Sequence, residues 1–174
     1  MALRVKFWGV RGSIACASLD HMKYGGNTSC IEVQAGDYTF ILDAGTGIRN
    51  FSNVILERDI HHSYLLLSHT HWDHINGFPF FIPAYDPKRS IAIMAGHLQE
   101  QGGVRNVLST QMSAPMFPVP LEIMQANLTF EDFSAGEDLD ICGDLTVRTA
   151  PLNHPNGATA YRIDYEGNSV VYVT

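Results

Sequence analysis

The densest group of chemically capable side chains is the segment His69–His74 (HTHWDH), where three imidazoles and a carboxylate occupy six positions. The segment follows the apolar stretch Tyr64–Ser68 and precedes a stretch punctuated by glycine and proline. It is therefore predicted to lie where a buried strand opens into a loop. Imidazole suits zinc or iron, and a carboxylate adds charge for a harder or bridged ion. This composition predicts a metal site.

The spacing of these residues predicts how many ions the site holds. His69 and His71 are two residues apart, as in extended backbone, and not four apart as on a zinc-binding helix. Both can therefore reach one ion. Asp73 continues the alternation and His74 points elsewhere, so these two could serve a neighbouring ion. Isolated histidines are more often ordinary residues, and His61-His62 is interpreted as a solvated turn.

Hydrophobic periodicity and turn residues predict the elements that must position these groups. The helices are predicted at Ile48–Arg58 and Leu98–Met112, with Gly102-Gly103 weakening the first turns of the second. The strands are predicted at Leu3–Val10, Ser29–Gln34, Tyr38–Asp43, Tyr64–Ser68, Ile91–Ala95, Leu128–Phe133, Leu145–Ala150, Thr159–Tyr165 and Ser169–Val173.

Three further segments carry expectations of their own. The apolar stretch Ile75–Pro83 is expected to pack beneath the metal site. The stretch Met112–Pro120 is read either as a rigid connector over the core or as an apolar wall of a substrate pocket. Tyr161 and Arg162 are expected to be solvated strand residues, with a substrate-facing role as the alternative.

Several segments along the chain extend the pattern around His69–His74. Together they resemble the metallo-β-lactamase superfamily of metallo-hydrolases, in the branch of ribonuclease Z and class II cyclic-nucleotide phosphodiesterases. The resemblance covers nearly the whole chain. Besides HTHWDH, it is carried by Phe7–Ser13 (FWGVRGS), Tyr24–Cys30 (YGGNTSC), Leu42–Gly47 (LDAGTG) and Asn153–Pro155 (NHP).

The resemblance implies a fold and a set of ligands. The fold is an α/β (α+β), metallo-β-lactamase-type αββα sandwich, with residues 1–174 as a single domain that forms the N-terminal portion of the full fold. His69, His71 and His154 match the three histidines of the first metal ion. Asp73 and His74 match the first ligands of a second ion. The later aspartate and histidine of the family have no match, so the fold is expected to be truncated before its C-terminal part.

The resemblance also implies the chemistry. A metal-activated water would hydrolyse the substrate in a phosphodiesterase-like reaction, with Asp73 as the catalytic residue that orients the water or accepts its proton. The expected cofactor is Zn²⁺, as one or two ions, with Mn²⁺ or Fe as alternatives. Asp43 either caps the segment after its strand or orients a histidine of the metal-binding loop.

Two alternatives to this function stay open. One is another hydrolysis known in the superfamily, of an RNA 3′ end, a thioester or a lactone. The other is a non-catalytic metal-binding module, because the second metal site is incomplete.

Charge and composition limit the partners. The chain has 11 Lys and Arg against 18 Asp and Glu, a net charge of −7, and no basic cluster, which disfavours nucleic acid. A small anionic ester, such as a cyclic nucleotide, is expected instead, because metal ions reverse the local charge. Three cysteines without a C-x-x-C pair, and no membrane-length apolar run, predict a cytoplasmic protein. An exposed strand at Val170–Val173 would favour homo-oligomers.

Overall fold

Ten strands form two sheets in the computed structural model, which describes residues 3–143 and 145–174 but not the side chain of Cys142. The first sheet has the order β1-β2-β3-β4-β5-β6. Its strands are β1 (Arg4–Gly9), β2 (Cys30–Ala35), β3 (Tyr38–Leu42), β4 (His62–Leu67), β5 (Ser90–Ala95) and β6 (Asn127–Asp132). The predicted hairpin of β2 and β3 is present, and β3 to β6 run parallel.

The second sheet has the order β10-β9-β8-β7, and all its neighbouring strands are antiparallel. Its strands are β7 (Asp138–Cys142), β8 (Leu145–Leu152), β9 (Ala158–Tyr165) and β10 (Asn168–Tyr172). The sequence did not predict β7. Its residues DLDIC have weak strand propensity, and the pairing with β8 shifts register between Leu139 and Cys142.

The helices are α1 (Ile48–Glu57), the single turn α2 (Trp72–Ile75) and α3 (Gly103–Gln111). The second predicted helix begins at Gly103 and not at Leu98, because Gly102 and Gly103 have φ of 82° and 89° and follow a 3₁₀ turn. Both longer helices pack on the first sheet, so the described residues form helix, sheet and sheet layers of the sandwich. None of the described helices is long and apolar enough to cross a membrane.

Alternating side chains on the first sheet supply two hydrophobic cores. Ile41, Leu65 and Leu67 face α1 and α3, whereas Phe40 and Leu66 face the second sheet. Leu65, Leu66 and Leu67 are all fully buried, as expected for a parallel strand covered on both faces. The metal-binding segment therefore starts from a rigid, buried strand.

Three local predictions were wrong. His62 begins β4 and does not belong to a turn, because its backbone pairs with Ser90 of β5. Tyr161 is not solvated, because it lies between the sheets and donates a hydrogen bond to the Leu67 carbonyl at 2.7 Å. The extended alternation ends at His71, since Asp73 and His74 lie on α2.

Candidate metal centre

Two loops bring three histidines together. His69 and His71 follow the carboxyl end of β4, and His154 follows the carboxyl end of β8. One nitrogen from each ring lies within 4.8 Å of the others. His71 Nδ1 and His154 Nε2 are 3.2 Å apart, and the centroids of the His69 and His154 rings are 4.5 Å apart. The structure thus places His154 beside His69 and His71, as the resemblance implied.

The donor set fits a zinc ion. Zinc–nitrogen bonds of about 2.0–2.1 Å in a tetrahedral site place the ligand nitrogens about 3.3 Å apart. The His71–His154 separation of 3.2 Å agrees with this spacing. Three protein ligands with a fourth position left open are typical of catalytic zinc sites.

His69 and His71 are arranged for this role by different means. Burial, followed by the charge of neighbouring His74, lowers the pKa of His69 to about 4. The His69 ring is therefore neutral near pH 7, as a metal ligand must be. His69 Nδ1 lies 3.0 Å from the Ser68 hydroxyl, which leaves Nε2 for the ion. His71 directs its Nδ1 toward His154.

Asp43 forms a buried network under the cluster. Its side chain is fully buried at the carboxyl end of β3, with a positive φ of 63° that aspartate tolerates better than most residues. It accepts hydrogen bonds from the Ser68 amide and hydroxyl at 2.7 Å each and from the Tyr172 hydroxyl at 2.6 Å. His74 Nδ1 lies 2.6 Å from Asp43 Oδ2. The prediction that Asp43 orients a histidine of the loop is confirmed.

His74 is held between two carboxylates, Asp43 at Nδ1 and Asp73 at Nε2. Although burial acts to lower the pKa of His74, the hydrogen bond and charge of Asp43 and the charge of Asp73 raise it. His74 Nε2 points toward Asp73, 3.4 Å from its Oδ2. That Asp73 oxygen also accepts a 2.7 Å hydrogen bond from the Ser13 amide. Asp73 and His74 thus form a pair beside the three histidines, where a second ion could bind.

The sequence matches the model of a known protein family, and this match establishes the family of the chain. The model of the beta-lactamase superfamily domain matches residues 38–174, which include every candidate ligand named above. The chain belongs to the beta-lactamase superfamily.

Three known proteins are similar to this chain in sequence or in fold. The lactamase-like protein aptB of Emericella nidulans is 36% identical over 89 residues, which are 49% of this chain and 28% of aptB. The fold matches that of the metallo-β-lactamase fold protein YhfI from Bacillus subtilis with a TM-score of 0.68 at 18% identity, over 99% of this chain and 62% of YhfI. It also matches the short form of human tRNase Z, with a TM-score of 0.66 at 13% identity, over 98% of this chain and 68% of tRNase Z.

At these identities the two structures show the shared metallo-β-lactamase fold alone. The chain spans about three tenths of the length of aptB and about six tenths of the length of YhfI.

Several residues near the candidate metal centre were not predicted as part of the site. Ser13 and Tyr172 contact Asp73 and Asp43 from distant parts of the chain, and their side-chain types gave no signal. Ser68 was predicted only as the end of a strand. His97 lies beyond β5 at the same edge of the sheet, where the carboxyl ends of β3, β4 and β5 meet. Its position after a parallel strand was the signal that could have identified it.

Proposed function

We propose that this chain carries the metal site of a hydrolase that acts on a small anionic phosphodiester. The observation that carries the proposal is the convergence of the His69, His71 and His154 nitrogens within 4.8 Å, with Asp73 beside them. Zinc in such a site supplies a Lewis acid and an activated water, whose pKa falls to about 7. No serine or cysteine nucleophile is then required.

The protein groups have separate tasks in this reaction. Asp73 accepts the proton of the attacking water or orients it. The Ser13 amide and His74 fix the position of the Asp73 carboxylate, through the contacts of 2.7 Å and 3.4 Å at its Oδ2. Asp43 and Ser68 contact the Nδ1 atoms of His74 and His69, so the Nε2 atom of each ring is directed away from this network.

Local charge supports an anionic substrate. Arg11, Lys23 and Asp20 line a cavity of about 190 Å³ in the loop that also presents Ser13 to Asp73. Two cations against one carboxylate leave this lining positive, which favours a small anion although the chain as a whole carries −7. The same net charge disfavours long nucleic acids.

The test measures zinc content and hydrolysis of bis(p-nitrophenyl) phosphate together. The wild-type protein is expected to hold at least one zinc ion per chain and to lose hydrolysis in a chelator. His154→Ala should lose both zinc and activity. His62→Ala, an exposed histidine at the start of β4, is the matched control and should lose neither.

Two outcomes would overturn the proposal. Hydrolysis that persists after complete zinc removal would exclude the metal-dependent mechanism. One zinc ion per chain without hydrolysis of any ester would favour the non-catalytic metal-binding module.

A further inference from the structure

A cavity of about 480 Å³ lies between the segment that follows β5 and the loop that follows β8. His97, Gln99, Gln101, Ser134 and Asn156 line it with neutral hydrogen-bonding groups, and Glu100 is the one formally charged lining residue described. Gln99 Nε2 donates to the Ser134 hydroxyl at 3.2 Å. The lining is thus polar, and an acidic group at its rim disfavours an anion.

The cavity adjoins the candidate metal centre through the loop after β8. Asn156 and Gly157 follow His154 by two and three residues, and the Gly157 amide donates to the His154 carbonyl at 3.0 Å. A Cβ atom at Gly157 would lie 3.4 Å from the His97 Cβ, so this loop lies against His97. The loop that carries His154 therefore also forms part of the cavity wall.

His97 has unused hydrogen-bonding capacity. Both of its ring nitrogens are covered from solvent and have no partner among the residues that the structure describes. Burial lowers the pKa of His97, with opposing effects from Asp43 and Asp132 and a smaller lowering from His71. A neutral imidazole offers one donor and one acceptor. Covered polar groups without partners are rare in proteins, and this one needs an explanation.

We propose that the cavity binds the uncharged, hydroxyl-rich part of the substrate, such as a sugar ring, with His97 and Asn156 as specificity residues. This inference rests on the proposed function. Each sugar hydroxyl both donates and accepts, which matches the imidazole and amide groups of the lining. The Cβ–Cγ torsion of histidine is soft, so rotation about it would let the His97 ring present a nitrogen to such a ligand.

The test compares two phosphate monoesters, which resemble reaction products, by calorimetry on the zinc-loaded protein. Ribose 5-phosphate carries a sugar that reaches the cavity, whereas ethyl phosphate does not. The wild type is expected to bind ribose 5-phosphate at least tenfold more tightly. His97→Ala and Asn156→Gly should each remove most of that preference while leaving the affinity for ethyl phosphate within twofold.

Controls separate this proposal from the proposed function. Asn156 has a positive φ of 66°, so Asn156→Gly removes the amide without straining the backbone, even if His97→Ala fails to fold. His62→Ala is the matched histidine control and should keep the preference. Equal affinity of the wild type for both esters, or a preference that survives in both cavity variants, would overturn the inference. Calorimetry measures the binding of the two monoesters and does not depend on catalysis. Failure of the bis(p-nitrophenyl) phosphate assay alone would therefore count only against the proposed function.

Discussion

At the residue scale, the roles of the ligands and of the proton acceptor can be separated. Asp73→Asn keeps the shape of the side chain but cannot accept a proton. We expect the turnover number for bis(p-nitrophenyl) phosphate to fall about 100-fold or more, with at least one zinc ion retained by the three histidines. Kinetics and metal analysis of the same sample check this. A variant that keeps most of its hydrolysis rate would show that Asp73 is not the proton acceptor.

The Asp43 network makes a prediction about stability. Asp43→Ala removes the buried acceptor that the donors of Ser68, His74 and Tyr172 share, although the Tyr172 hydroxyl keeps its contact with Ser29 and the Ser68 hydroxyl its contact with His69. We expect a loss of about 3–5 kcal/mol in the free energy of unfolding. Tyr172→Phe removes one of these donors and keeps the carboxylate, so its expected cost is about 1 kcal/mol. Urea denaturation of the metal-free proteins measures both, and equal losses would contradict the central position of Asp43.

The pKa of His69 predicts a pH dependence in the metal-free protein. The unfolded ring takes up a proton near pH 6.5, whereas the folded ring resists protonation until about pH 4. The contribution of His69 to stability is therefore fully present above pH 6.5 and is lost as the pH falls toward 4.

His69→Gln should show a smaller loss of stability over this pH range. The raised pKa of His74 acts in the opposite direction, and His74 is present in both proteins. Thermal unfolding at several pH values provides the measurement. Parallel stability profiles for the wild type and the variant would count against this prediction.

At the element scale, close backbone contacts hold the loops that carry the ligands. The Gly77 amide donates to the Ala44 carbonyl at 2.9 Å, and the Ala44 amide donates to the His74 carbonyl at 2.7 Å. A Cβ at Gly77 would lie 2.1 Å from the Gly45 carbonyl oxygen, which is backbone and cannot move aside cheaply. The loop after β3 can therefore approach the turn α2 this closely only because residue 77 is glycine.

Gly77→Ala tests this fit. We expect it to cost about 1–3 kcal/mol of stability and to weaken zinc binding, because the turn that carries Asp73 and His74 must shift. Gly143→Ala is the matched control, since a Cβ there meets no atom of the described residues within 4 Å, and it should change stability by less than about 0.5 kcal/mol. Urea denaturation and zinc titration measure the two effects. Full stability in Gly77→Ala would refute the close contact.

At the scale of the whole molecule, β10 is an edge strand that pairs only with β9 among the described strands. Its end exposes apolar side chains, with Val171 57% and Val173 62% exposed. Exposed apolar edges favour pairing with another chain. We predict concentration-dependent self-association through β10.

Val171→Lys should weaken this association, because a charge on an edge strand opposes strand pairing. Sedimentation velocity at several protein concentrations measures the effect. Leu19→Lys is the control, since it removes an apolar side chain that is 88% exposed in a distant loop and should leave association unchanged. A wild type that stays monomeric at every concentration would refute the prediction.

The sequence by itself determined the features that depend on neighbouring residues. All nine predicted strands lie within two residues of their observed ends, because alternation and turn residues act locally. Two ends differ by two residues: β4 begins at His62 and not at Tyr64, and β8 ends at Leu152 and not at Ala150. The segment His69–His74 predicted a metal site because four potential metal ligands occupy six consecutive positions. The resemblance to the superfamily supplied His154, which spacing alone could not connect to a segment 83 residues away.

Only the tertiary structure decided which distant groups meet. Packing of the two sheets sets the 3.2 Å separation between His71 and His154 and places Tyr172 on Asp43. The turn α2 redirects Asp73 and His74 away from the extended alternation, because the backbone after His71 closes into helical hydrogen bonds. No motif in the neighbouring sequence identifies His97 as a functional residue. Its cavity forms only where the end of β5 approaches the loop after β8. Such contacts arise from the packing of the whole chain, which no local pattern encodes.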